Sequence, residues 1–131
     1  MKYLIFGKNG QLGKEFLKKL DKKAVGIDHN QCDISDLSTV LDIVSKEKPD
    51  VIINCAAYNL VDKAEEDFVN AYKTNALGVR NLAYVSKKAG AFLVHYSTDY
   101  VFDGKKEDSL YTEEDKPNPI NQYGKSKLTG E

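Results

Sequence analysis

The sequence has 131 residues, 41% of them hydrophobic, which is enough for one domain burying roughly two thirds of its unfolded surface. Its 19 Lys and Arg nearly balance 20 Asp and Glu, so no broad basic field exists to draw nucleic acid or an anionic membrane. Cys32 and Cys55 form no CxxC pair, and no apolar run approaches the roughly 18 residues of a membrane span, which argues against zinc, a disulfide framework or a membrane segment and for a cytoplasmic protein with reduced core thiols.

The opening stretch, Met1 to Gly7, is too short for a signal peptide and reads as the first strand, Tyr3 to Phe6. Leu12, Phe16, Leu17 and Leu20 then share one helical face, and a second strand follows at Ala24 to Ile27. Leu37, Val40, Leu41 and Val44 repeat the i, i+3, i+4, i+7 spacing of a second helix, with Ser35 or Asp36 as its cap and Pro49 just past its end. Val51 to Cys55 reads as the third strand and Ala91 to Tyr96 as the fourth. The pattern between them, Asp62 to Lys88, is helical, with Val69, Tyr72, Ala76, Val79 and Ala83 on one side and Gly90 as terminator.

Asp103 to Pro119, rich in charge, Gly and Pro, reads as a surface loop before a last helix starting near Asn121. This alternation predicts an α/β chain with a parallel, doubly wound sheet and helices on both faces. In the strand order 3-2-1-4-5-6 the fourth strand would form an edge. The last helix reaches Glu131 with no strand after it, so the sheet is expected to be truncated before its last strands.

Gly7-Lys8-Asn9-Gly10-Gln11-Leu12-Gly13 lies between the first strand and first helix, where bare backbone lets a pyrophosphate approach the helix N-terminus. A GxxxxGK[ST] phosphate loop does not fit, because the spacing to Gly13 and Lys14 differs and Glu15 stands where a hydroxyl is required. Asp28 ends the second strand about 20 residues on, where an acid accepts from a ribose 2′-hydroxyl and repels a 2′-phosphate. That favours NADH, with Lys8 and His29 near enough to accommodate NADPH. Asp33 and Ile34 begin a second polar turn, in which Asp33 is more simply an N-cap or Asx-turn than an adenine contact. Ala56, Ala57 and Tyr58 follow the third strand at the carboxyl edge, where small side chains admit a flat ring or ribose.

Tyr123 and Lys127 stand at i and i+4, so they share one helix face, and an ammonium there favours the phenolate of a tyrosine whose free pKa is about 10. Such a phenol can exchange a proton near neutral pH. Ser97 and Thr98 follow the fourth strand, and a hydroxyl there can hold a reacting carbonyl as it becomes an oxyanion.

The glycine turn, Ala56-Ala57-Tyr58 with Val61-Asp62-Lys63-Ala64-Glu65, the run from His95 to Gly104, and Tyr123-Gly124-Lys125-Ser126-Lys127 together resemble the dTDP-4-dehydrorhamnose reductase family, within the extended short-chain dehydrogenases/reductases. The resemblance spans essentially the whole chain. Tyr100 stands where related 4,6-dehydratases typically carry a glutamate. It implies a Rossmann-type NAD(P)-binding domain over 1–131, with a C-terminal substrate-binding part outside this sequence. It further implies Thr98, Tyr123 and Lys127 as catalytic residues, with Gly7, Asn9, Gly10, Gln11, Leu12 and Asn75 among the cofactor contacts and Lys127 also holding the nicotinamide ribose.

The implied reaction is reduction of the C4 ketone of dTDP-4-dehydro-L-rhamnose to dTDP-L-rhamnose by NADH or NADPH. In this reading the segment alone has little turnover, and the longer protein is compatible with a homodimer. Glu15 stands where some members contribute a carboxylate to a magnesium-bearing dimer contact, and no metal is assigned to it here. A non-catalytic nucleotide-binding subunit, or an epimerase or dehydratase acting on another sugar nucleotide, are the alternatives the residues leave open.

Overall fold

Runs of Val, Ile, Leu and Phe fit a pleated surface buried from both sides, and four of them pair in parallel. The computed structural model describes residues 1–107 and 109–131, with strands β1 (Tyr3–Phe6), β2 (Ala24–Ile27), β3 (Val51–Asn54) and β4 (Phe92–His95). The helices are α1 (Gln11–Leu20), α2 (Leu37–Glu47), α3 (Phe68–Tyr72), a π-helical turn (Lys73–Gly78), α4 (Val79–Ala89) and α5 (Gln122–Gly130). Asp108, inside the expected loop of 103–119, lies outside the described residues.

The register aligns Leu4 with Val25 and Ile52, and Ile52 with Leu93, so these side chains share one face. There they pack with Val40 and Val44 of α2 and Leu82 and Val85 of α4. Burial of each such side chain contributes roughly 1.5–3 kcal/mol. Alternation turns Ile5 and Ile53 to the other face with Gly26, where a Cβ would lie 2.9 Å from the Leu17 side chain of α1. Helices therefore cover both faces.

The strand order is β2-β1-β3-β4, so the third strand lies beside β1 rather than beyond β2 as the expected order had it. The cause is local: after β2, residues 28–36 fold into turns instead of another strand, and α2 carries the chain back across β1. Among the described residues β4 pairs only with β3, which makes it an edge as expected. Phe92 on that edge is 79% exposed.

Asp36, rather than Ser35, caps α2 by accepting from Ser38 N at 3.0 Å, and Gly90 ends α4 in the left-handed region at φ 67°. The helical region expected over 62–88 is built of a 3₁₀ turn, α3, the π turn and α4. Its inward face differs: Ala71, Asn75, Gly78, Val79, Leu82 and Val85 are buried, whereas Val69 and Ala83 are exposed. Polar Asn75 and Ser86 occupy inward positions, so the apolar pattern misreads the face. Leu12, expected against the sheet, is 41% exposed.

Candidate active site

The chain leaves the carboxyl ends of β1, β2 and β3 at Gly7, Asp28 and Cys55, and a cleft of about 380 Å³ opens between these exits. Its wall includes Gly7, Asn9, Gly10, Asp28, Asp33, Ile34, Ala56, Ala57 and Tyr58. Gly7 has φ +84°, and a Cβ there would lie 2.6 Å from the Ala56 amide nitrogen, so only glycine permits this turn against β3. Gly10 differs, since nothing lies closer than 3.4 Å to a Cβ built on it and its φ of −71° suits any residue. What glycine preserves at position 10 is open space in the cleft.

Gly10 is also the cap residue of α1 and provides no side-chain hydrogen bond. Lys14 N closes the first intrahelical bond on Gly10 O at 3.0 Å, so the amides of Gln11, Leu12 and Gly13 have no acceptor within the helix. Unpaired N–H groups at the positive end of a helix dipole, beside a cleft kept bare by glycine, suit a pyrophosphate. The residues present fit the phosphate end of a dinucleotide.

At the far corner, Asp28 Oδ2 pairs with Lys8 Nζ at 3.0 Å and Asp28 Oδ1 accepts from Gln31 N at 3.0 Å. The Lys8 hydrogen bond holds the Asp28 carboxyl below its usual range. Asp33 forms the expected Asx turn, accepting from Ser35 N at 2.9 Å, and its other oxygen pairs with Lys73 at 3.3 Å. Buried Asn81 donates to the carbonyls of Ile34 (3.1 Å) and Ser35 (2.9 Å), fixing this turn to α4. Sequence reasoning missed Asn81, and also missed Phe6, Asn59 and Thr74 in the cleft wall.

Cys32 and Cys55, expected as core thiols, both line the cleft, with Cys32 buried and Cys55 half-buried. Burial pushes each thiol up to about 11, which leaves them protonated and unreactive near neutral pH.

Gln11, Leu12, Asn75, Thr98, Tyr123 and Lys127 lie outside the cleft wall. Asn75 links the cleft to α5: its Oδ1 accepts from Tyr58 N at 2.9 Å, and its Nδ2 donates to Tyr58 O and to Ser126 Oγ, each at 2.9 Å. Ser126 Oγ in turn donates to Tyr123 O at 2.7 Å. Asn75 thus fastens Tyr58 to α5.

α5 is capped by Asn121, which accepts from Gly124 N at 2.7 Å, and it lies very close to the 3₁₀ turn of Asp99–Val101. A Cβ at Gly124 would collide with the Tyr100 carbonyl oxygen and stand 3.0 Å from Pro119 Cβ. This approach brings the Tyr123 ring edge-on to Tyr100, with centroids 5.6 Å apart. Lys127 is 3% exposed and its Nζ donates to Tyr96 O at 2.5 Å. Burial pulls the Lys127 ammonium below its ordinary value, and the Glu131 carboxylate opposes that shift.

Thr98 Oγ1 accepts from Tyr100 N at 3.3 Å and donates to Asp99 Oδ1 at 3.2 Å, while Ser97 Oγ is taken by Glu131. Thr98, Tyr123 and Lys127 are gathered by contiguous elements at the end of β4, although no hydrogen bond joins them among the described residues. His95 reads as a strand residue, as expected: its Nδ1 meets Asn54 Nδ2 at 3.1 Å, and burial pulls it below its ordinary value.

A glycine turn, an acid ending β2 and a Tyr-Lys helix on one sheet edge can be compared with known proteins. The family model described as RmlD substrate binding domain matches residues 1–131. The chain belongs to that family.

It is 45% identical to the dTDP-4-dehydrorhamnose reductase of Burkholderia thailandensis over 133 aligned residues, which cover 100% of the chain and 44% of the relative. Among solved structures, a dTDP-4-dehydrorhamnose reductase from Clostridium acetobutylicum is 47% identical with a TM-score of 0.94, over 99% of this chain and 47% of that one. The enzyme of that name from Bacillus anthracis, solved in complex with NADP, is 44% identical with a TM-score of 0.93, over 99% and 48%. These neighbours share the Rossmann-type parallel sheet. The chain spans about half the length of the relatives it matches.

Proposed function

We propose that this RmlD-family chain is the nicotinamide-dinucleotide and catalytic half of a dTDP-4-dehydrorhamnose reductase, acting on a dTDP-sugar in the cytoplasm. The carrying observation is the bare cleft at the N-terminus of α1, with the Tyr123-Lys127 helix on the same edge of the sheet. In support, the chain is 44–47% identical over nearly its full length to proteins of that name, one of them holding NADP.

A bound nicotinamide would supply hydride to C4 of the ketone. This chain's residues do the rest. The unpaired amides at Gln11 to Gly13 bind pyrophosphate, and Ala56 and Ala57 leave room for the ring and its ribose. Tyr123 Oη gives its proton to the oxygen that becomes an alkoxide, and Thr98 Oγ1 donates to that oxygen while the charge develops. The Lys127 ammonium stabilises the phenolate left behind. The ketone gains one hydride and one proton and becomes an alcohol.

Stoichiometry tests this on the whole protein. One NAD(P)H consumed per dTDP-sugar converted supports reduction. Conversion of the sugar with no net loss of NAD(P)H would point to an epimerase or dehydratase, and dinucleotide binding without conversion to a regulatory subunit.

A further inference from the structure

Lys127 is buried, yet among the described residues its Nζ donates to an uncharged group, the Tyr96 carbonyl, and lies within 4.0 Å of no carboxylate. A buried ammonium with no counter-charge gives up its proton more readily, and a neutral Lys127 could not stabilise a phenolate at Tyr123. Glu131 stands four residues further on at the end of α5, so it shares the face that carries Lys127. Its position there is fixed from outside the helix. Glu131 Oε1 accepts from Ser97 Oγ, in the segment that leads from β4 to Thr98.

We infer that Glu131 is a positioning residue of the reaction site: anchored by Ser97, it sets a negative charge on the Lys127 face of α5, an inference that rests on the reductase reading. Other charged groups on elements packed against α5 are engaged elsewhere. Glu65 accepts from Gln122 N at 2.7 Å at the opposite end of the helix, Lys73 pairs with Asp33 at 3.3 Å, and Asp99 accepts from Thr98 Oγ1 at 3.2 Å. His95 faces Lys127 from β4, but burial first and the ammonium second hold it below its ordinary value, so it is neutral near neutral pH. Tyr123, one turn before Lys127, is the phenol whose proton moves. Glu131 is therefore the charge that offsets the burial of Lys127 and keeps it an ammonium.

The test is Glu131→Gln in the whole protein, which removes the charge and keeps an acceptor for Ser97. Two quantities read it: the titration of the Lys127 Cε resonance by NMR in cofactor-free protein, and kcat/KM for reduction of dTDP-4-dehydro-L-rhamnose against pH. Without the carboxylate the Lys127 midpoint falls by at least about 0.5 pH unit. The alkaline limb of kcat/KM moves to lower pH with it, since the ammonium is lost sooner as pH rises. Glu131→Asp, which keeps the charge, returns both most of the way. A resonance or a limb that Glu131→Gln leaves in place, or that Glu131→Asp fails to restore, overturns the inference while the reductase reading stands. A protein that reduces no dTDP-sugar overturns the reductase reading and with it the role of Glu131 in the reaction, whatever the resonance does.

Discussion

Replacing Gly124 by alanine probes how closely α5 must approach the turn that carries Thr98. The added Cβ overlaps the Tyr100 carbonyl oxygen, which is backbone and cannot rotate away, and presses on Pro119. Ordinary contact requires α5 to retreat by roughly 1 Å, and overpacking of this kind costs about 3 kcal/mol. Alanine regains about 1 kcal/mol over glycine within a helix, so the net loss is roughly 2 kcal/mol, or on the order of 5–10 °C in Tm. The same retreat moves the Tyr123 phenol relative to Thr98, and a 1 Å misplacement of reacting groups costs about 10²-fold in rate. Thermal melts and steady-state kinetics of the whole protein read both effects. The expected pattern is a lowered Tm and kcat with cofactor affinity preserved, because the cleft wall lies on other elements. Wild-type Tm and kcat for Gly124→Ala would refute the argument from close approach.

Gly10→Ala should do the reverse. Its Cβ meets nothing closer than 3.4 Å, so stability should change by less than about 1 kcal/mol while it fills the phosphate end of the cleft, lowering NADPH affinity in a fluorescence titration at least tenfold. The loop after β4 should be acid-sensitive. Asp103 accepts from Asn118 Nδ2 at 3.0 Å and Tyr111 Oη at 2.8 Å, which hold its carboxyl down from 3.8 to about 2. A depressed folded-state value stabilises the loop fully above the ordinary value and loses that stabilisation as pH falls towards 2. The protection of the Lys105 amide against hydrogen exchange, measured relative to its intrinsic rate at each pH, should fall over that window in the native protein because the amide donates to Asp103 at 3.1 Å, and Asp103→Asn should abolish that fall.

What the sequence disclosed divides along physical lines. β1 and β2 end where their apolar runs end, and the cap at Asp36 and the stop at Gly90 follow from local chemistry that any short window contains. The strand order was not legible, because it depends on which way α2 carries the chain after the turns of residues 28–36, back across β1 rather than out past β2, and no short window of sequence contains that choice. Nor was the π turn at Lys73–Gly78, since its effect is to bury Asn75, a residue that apolar periodicity assigns to neither face.

In the site, Gly7, Asp28 and Tyr58 were recoverable from their place after each strand. Asn75 fastening Tyr58 to Ser126 was not, because it joins side chains distant in sequence, and although Lys8 was placed near Asp28, their ion pair was not foreseen. Cys32 was legible as a core thiol and is one, buried in the core cluster, whereas Cys55 is half-buried beside the cleft, because an apolar cleft wall and a core have the same composition.

The most direct measurement is turnover of the whole protein carrying Tyr123→Phe, alongside its NADPH affinity. Loss of the proton donor should lower kcat by about 10²–10⁴-fold while the dissociation constant stays within about threefold. Unchanged turnover would contradict the assignment of Tyr123 as the acid, and with it the reductase reading of this edge of the sheet.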